Sequence, residues 1–364
     1  MRRVAVEHAR TGMVLSRPVY DSHGRMICDA RTELTEWHIR TLSAYGVGEL
    51  TIDDSRVADV LVQPLIPPEV EAGASQALRE LMKEGGCRGE IEPMLIHEVR
   101  NSINSMTRTL FPEPMGDPNV AGCLNLKEYG YVQPAKVAGL SLLMGSSLEF
   151  NMAQLASLGA AALLMNVGYI RLPHVMLQPS ILDKPGALTE REFSELKKHC
   201  QYGCEILSES GEFLPEVSQA VLQHHERWDG SGYPNGLKGE EISLFARLIA
   251  IADTYYALVS TRPHRREFLP HEAIEFIMAY GGDLFDPELV RLFSRQVPLY
   301  PKGVTVRFNS GEVGFVTDAN IGFVGRPVVR VVYDEEANPI KEPYEIDLKT
   351  VDNQRKLIVE VLAY

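Results

Sequence analysis

His224-His225-Glu226-Arg227-Trp228-Asp229-Gly230-Ser231-Gly232-Tyr233-Pro234 is the stretch on which the reading of this chain turns. Two adjacent imidazoles close an apolar-periodic segment running through Val217 and Val221, so at helical spacing at least one of them points the way the core face points. A Gly-Ser-Gly-Tyr-Pro turn follows at once. Glycine supplies backbone angles that other residues avoid and proline fixes its own, so this is a rigid, chemically specified loop. A bare histidine pair is ordinarily two satisfied side chains. This one sits in a string that is far from bare.

Working outward, every strong pattern from about Asn119 to Leu299 is helical. Asn151 to Asn166 reads as one apolar helix, and its most apolar window, Leu155 to Val167, is too short to span a bilayer. Thr189-Glu190-Arg191-Glu192 is a capping box that opens a helix with the apolar face Phe193, Leu196, Cys200, Gly203 and Leu207, with His199 beside it. A further helix, Leu244 to Ser260, carries Asp253 beside the apolar run Leu248 to Ala252. A charge embedded there must have a partner, and a metal or the histidine pair is the natural candidate. Cys200 and Cys204, one turn apart beside His199, suggest a Cys-His metal site, but their place on the apolar face favours buried thiols.

Other segments extend the pattern: Lys184-Pro185-Gly186-Ala187-Leu188-Thr189, Lys198-His199 with Gly203, Gly239-Glu240-Glu241-Ile242, Ala246 to Asp253, Arg262-Pro263-His264-Arg265, and Gly282-Asp283-Leu284-Phe285-Asp286-Pro287. With the opening string they resemble the HD-GYP domain, the bacterial metal-dependent phosphodiesterases acting on cyclic di-GMP. The resemblance covers roughly half of the chain. It implies an HD-superfamily helical bundle in which His and Asp/Glu side chains hold two or three iron or manganese ions. Hydrolysis there needs carboxylates that bridge metals about 3.5–4 Å apart and acidify water. By resemblance His199, His224, His225 and Asp253 occupy four ligand positions, and Arg262 and Arg265 match basic positions turned toward the cyclic dinucleotide. Gly232, Tyr233 and Pro234 form the loop at which such domains are thought to meet partners, diguanylate cyclase (GGDEF) domains among them.

The other half of the family's site is replaced. Gln133 stands where a ligand His belongs, and Leu163-Leu164-Met165-Asn166-Val167-Gly168-Tyr169 stands where the family reads L-L-H-D-I-G-K. Met165 thus replaces a His, Asn166 the bridging Asp, and Tyr169 a Lys expected to contact phosphate. A thioether is a poor ligand for iron(II) or manganese(II), and a neutral amide cannot supply the bridging charge. The expectation is a catalytically degenerate protein with no cofactor, acting as a regulatory or protein-interaction module in cyclic di-GMP signalling. The alternatives are an atypical phosphodiesterase with one iron or manganese ion, and a sensor that binds cyclic di-GMP without cleaving it.

The flanks read differently. Residues 1–62 alternate short apolar runs with turns, a small N-terminal α/β module; 63–118 carry helices from Glu69 to Lys83, stopping at Gly85-Gly86, and from Met94 to Leu110, expected to link the modules or to pair two subunits as a homodimer. His97 and Glu98 there read as solvated helix-face residues. The degenerate HD-GYP helical domain spans 119–300, and after Tyr300-Pro301-Lys302-Gly303 the period switches to two, giving 301–364 as a small C-terminal antiparallel β-barrel-like module. The fold class is therefore multidomain and mainly α. A net charge of -13 over 364 residues disfavours duplex nucleic acid and anionic membrane surfaces as partners. Five scattered cysteines and a start without an apolar leader fit reduced thiols in a cytoplasmic protein.

Overall fold

The structure is a computed structural model and describes residues 1–21, 25–62, 64–88, 91–110, 129–172, 186–260 and 268–362. At the N-terminus β1 (Arg2–Ala5), β2 (Val19–Tyr20), β3 (Met26–Cys28), α1 (Glu36–Ala44) and β4 (Glu49–Ile52) enclose a small core of Val4, Leu15, Leu34, Leu42 and Leu50. Strand β1 runs antiparallel to β4 with Arg2 opposite Ile52, and β2 pairs with β3. Thr35 caps α1 by accepting from the His38 backbone N–H.

Among the described residues nine helices then build the centre: α2 (Pro68–Arg88), α3 (Pro93–Leu110), α4 (Tyr129–Ser147), α5 (Met152–Leu163), α6 (Glu190–Ser210), α7 (Pro215–Gln223), α8 (Leu244–Val259), α9 (Pro270–Ala279) and α10 (Pro287–Gln296). In α2 and α3, the expected linker or dimerisation region, Leu78, Leu81, Val99, Ile103 and Met106 are buried in the same apolar core as α4, α5 and α8. One expectation is corrected here: α2 does not stop at Gly85-Gly86 but runs on to Arg88. A Cβ at Gly85 would lie 2.8 Å from Ile170 Cδ1, so this glycine permits a close helix crossing and is no terminator. His97 and Glu98 are exposed.

Helix α5 also differs from its expected span. It begins under a capping box of Asn151 and Gln154 but ends at Leu163, and a 3-10 turn over Val167–Arg171 follows. The stretch Met152–Arg171 has the length and composition to cross a membrane, yet 83% of its most apolar window is buried inside the protein. The Thr189–Glu192 capping box forms as read, and α6 closes at Gly211 with φ 65°.

The C-terminal module is a five-stranded antiparallel sheet of β5 (Thr305–Phe308), β6 (Val313–Asp318), β7 (Val328–Tyr333), β8 (Pro339–Asp347) and β9 (Ile358–Leu362), in the order β8-β7-β6-β5-β9. Strands β8 and β9 lie at its two ends, outside the sequence reading. The sheet is clasped to the N-terminal segment. Val57, Val60 and Val62 pack on Phe315 and Val332, the Arg56 guanidinium lies 5.0 Å from the centre of the Phe315 ring and donates to Tyr333 Oη at 2.9 Å, and Arg330 forks onto both carboxylate oxygens of Asp59 at 2.6 and 2.7 Å.

Candidate functional site

The site is assembled by two glycines. A Cβ at Gly168 would lie 1.9 Å from the His199 carbonyl oxygen and 2.6 Å from the Gly203 nitrogen, and one at Gly203 would lie 2.8 Å from Val221 Cγ1. Only glycine lets the turn after α5 press main chain to main chain against α6. That contact sets Tyr169 against His199, with ring centroids 4.8 Å apart, and brings α6 onto α7, whose C-terminus presents His224 and His225.

His199 and His224 are 1% and 0% exposed. Each ring is anchored at one end: His199 Nδ1 lies 2.6 Å from the Leu196 carbonyl oxygen and His224 Nδ1 lies 2.7 Å from that of Val221. A carbonyl only accepts, so both Nδ1 atoms carry protons and donate, which leaves both Nε2 atoms with lone pairs in the neutral rings. These two Nε2 atoms face each other at 3.4 Å. Burial lowers the pKa of His199 to about 4 and that of His224 to about 3, so neither ring is an imidazolium near neutral pH. Nitrogen lone pairs held face to face in this way are able to share a proton or a metal ion.

The third imidazole, His225, stacks 4.1 Å from His224 and 4.8 Å from Tyr233. The fourth donor is Cys200, fully buried, with Sγ 3.6 Å from His199 Nε2. Ligand atoms of His199, Cys200, His224 and His225 all lie within 4.8 Å of one another. Asp253, a ligand position in the sequence reading, is not in this set: its Oδ1 accepts from Gln133 Nε2 at 2.7 Å. Met165, Asn166 and Tyr169, which the sequence reading took for replacements of family residues, are buried, at 1%, 8% and 8% exposure. Arg262 and Arg265 lie outside the described residues, as do Lys184 and Pro185.

The Gly-Tyr-Pro loop is braced from within by a residue to which the sequence reading gave no role. Glu226, 2% exposed, accepts from the backbone N–H groups of Asn235 at 2.7 Å and Leu237 at 3.1 Å. Trp228 and Asp229 donate their backbone N–H groups to the carbonyls of Leu284 and Asp283, and Arg247 pairs with Asp286 at 2.7 Å below them. A Cβ on Gly232 would fall 2.3 Å from the Arg227 nitrogen, so the loop tolerates no side chain there. Tyr233 is turned inward, between His225 and the edge of Phe193, with the Lys197 ammonium 5.0 Å from its ring centre. Asp229, Ser231, Pro234, Asn235 and Gly236 are exposed members of the loop.

Comparison with known proteins agrees with this architecture. The HD domain family matches residues 118–289, and a KOW domain associated with HD domains matches 305–363. A cyclic di-GMP phosphodiesterase of Pseudomonas aeruginosa is 36% identical over 365 residues, covering 92% of this chain and 85% of that protein. A cyclic di-GMP phosphodiesterase response regulator of Xanthomonas campestris is 32% identical over 245 residues, 65% of this chain and 61% of that protein. A 3'3'-cGAMP-specific phosphodiesterase of Vibrio cholerae is 41% identical over 133 residues, 36% of this chain and 24% of that protein. Among solved structures, an HDG"Y"P protein from Bdellovibrio bacteriovorus superposes with a TM-score of 0.50 over 80% of this chain and 97% of its own, a likeness of fold at 13% identity.

Proposed function

The chain belongs to the HD-GYP family, and from that premise we propose that it serves bacterial cyclic di-GMP signalling as a regulatory or protein-binding module whose hydrolytic site is degenerate. The observation that carries this reading is the bond from Gln133 Nε2 to Asp253 Oδ1. A carboxylate that the resemblance assigns to metal accepts instead from an amide standing at a ligand-histidine position. Met165 and Asn166 remove a further imidazole and the bridging charge, and hydrolysis through a metal pair needs both.

The remaining donors fit one ion. His199, His224 and His225 would hold it, and when bound it would supply positive charge beside the Gly-Tyr-Pro loop. Tyr233 positions His225 by stacking on it, and Glu226 holds the loop that carries Tyr233. A diguanylate cyclase (GGDEF) domain is the partner class we propose, met through the exposed Ser231, Pro234 and Asn235, and the cytoplasm is the proposed compartment.

The test is turnover of cyclic di-GMP by anaerobically purified full chain in excess manganese(II) or iron(II). No protein-dependent linear dinucleotide is expected. Product that accumulates with wild type and disappears with His224→Ala would replace this reading with the one-metal phosphodiesterase. Calorimetry with cyclic di-GMP identifies the sensor: binding that weakens in Arg262→Ala without turnover is its signature. For the partner role, Ser231→Arg and Asn235→Arg should abolish capture of a purified GGDEF domain.

A further inference from the structure

We propose that His199, Cys200, His224 and His225 form a single-ion site of three nitrogens and one sulfur, selective for zinc over iron(II) and manganese(II). The proposal rests on the reading that the metal-pair site is degenerate, and goes beyond it by adding a donor and naming a different ion.

Four observations support it. First, two nitrogens each about 2.1 Å from one tetrahedral ion stand about 3.4 Å apart, and the facing Nε2 atoms of His199 and His224 are separated by 3.4 Å. Second, both rings are already held in the required tautomer by the Leu196 and Val221 carbonyls, which is how proteins orient imidazole ligands. Third, Cys200 Sγ lies 3.6 Å from His199 Nε2 in full burial. Fourth, both Glu226 oxygens accept from loop amides, and Asp253, whose Oδ1 accepts from Gln133, is not among the clustered donors.

The donor set decides the ion. Iron(II) and manganese(II) favour carboxylates and a higher coordination number, whereas imidazoles with one thiolate suit four-coordinate zinc. Binding must therefore release the thiol proton to solvent as the sulfur–zinc bond forms, and no redox change occurs. A closed set of four protein ligands makes the site structural: it would staple α6 to the C-terminus of α7 and so fix the loop that follows.

The test uses the full chain, stripped with chelator and titrated with zinc(II) or with cobalt(II) as its spectroscopic stand-in. One equivalent per chain should bind, and the cobalt form should show a thiolate-to-metal charge-transfer band in the near ultraviolet. Cys200→Ser should abolish the band and weaken zinc binding at least about tenfold, the smallest loss typical of disturbing even an outer partner of a metal. Cys28→Ser and Cys204→Ser should retain both. Circular dichroism confirms that each variant folds, and the wild-type band is diagnostic without any variant. A wild-type cobalt protein lacking the band, or a Cys200→Ser protein with unchanged affinity, overturns the role of Cys200 and leaves the regulatory reading standing. Two equivalents of metal per chain would overturn both.

Discussion

Gln133 on α4 and Asp253 on α8 are joined by a 2.7 Å hydrogen bond from amide to carboxylate, with Gln133 only 3% exposed. The bond ties two core helices together beside the histidine cluster. Gln133→Ala removes a donor to a charged acceptor and should destabilise the protein by about 1.5–3 kcal/mol. Urea denaturation measures it, and a loss below a few tenths would show that Asp253 does not depend on Gln133.

Gly168→Ala is the change the structure tolerates least. The added methyl would meet the His199 carbonyl oxygen at 1.9 Å, backbone against backbone, with no rotamer to relieve it. A loss of more than about 3 kcal/mol is expected, of the size seen for overpacking and backbone strain. Gly86→Ala, one turn of chain with nothing within 4 Å of the new methyl, should instead stabilise α2 by about 0.5–1 kcal/mol. Thermal melts of the pair read both effects, and equal behaviour would contradict the close packing at Gly168.

The clasp between the first and last modules should respond to acid. The Arg330 guanidinium, hydrogen-bonded to both Asp59 oxygens, lowers that carboxyl from 3.8 to about 2. A depressed carboxylate pKa stabilises the folded state above the unfolded value, and that contribution is lost as pH falls through the folded one. The stability difference between wild type and Asp59→Asn should therefore be constant above about pH 4 and shrink toward pH 2. Its plateau is at most about 1 kcal/mol, because solvent screens an exposed pair. A difference that grows on acidification would reverse the assigned sign.

Glu226→Gln tests the brace of the loop. Two backbone N–H groups now share one carboxylate, and an amide offers a single acceptor oxygen. Hydrogen exchange at Asn235 and Leu237 should quicken by about one to two powers of ten, matching the 1–3 kcal/mol of a donor left unpaired. Unchanged protection would mean that the turn holds itself.

What could be read in the sequence was local. The Thr189–Glu192 capping box depends on four consecutive residues, and the antiparallel pairing of β5 to β7 on alternating apolar runs. The family resemblance, rather than spacing, singled out His199, His224 and His225, whose ligand atoms lie within 4.8 Å of one another. The early end of α5 was hidden, because the turn that follows it packs against α6, far along the chain. So was β8, whose side chains are mostly exposed on an edge and show no clean alternation. Cys200 was legible only as a thiol on an apolar face; its approach to His199 Nε2 depends on how the neighbouring ring folds back toward Leu196. Glu226 gave no signal beyond its place in the motif, since what it binds are main-chain amides.

The contact of Gly168 with Gly203 and the His199 carbonyl is made without any side chain. Its shape is therefore indifferent to what stands at 165, 166 and 169. A mould of bare backbone keeps its form whichever side chains stand around it, and so fixes the place of the histidines without dictating what they hold.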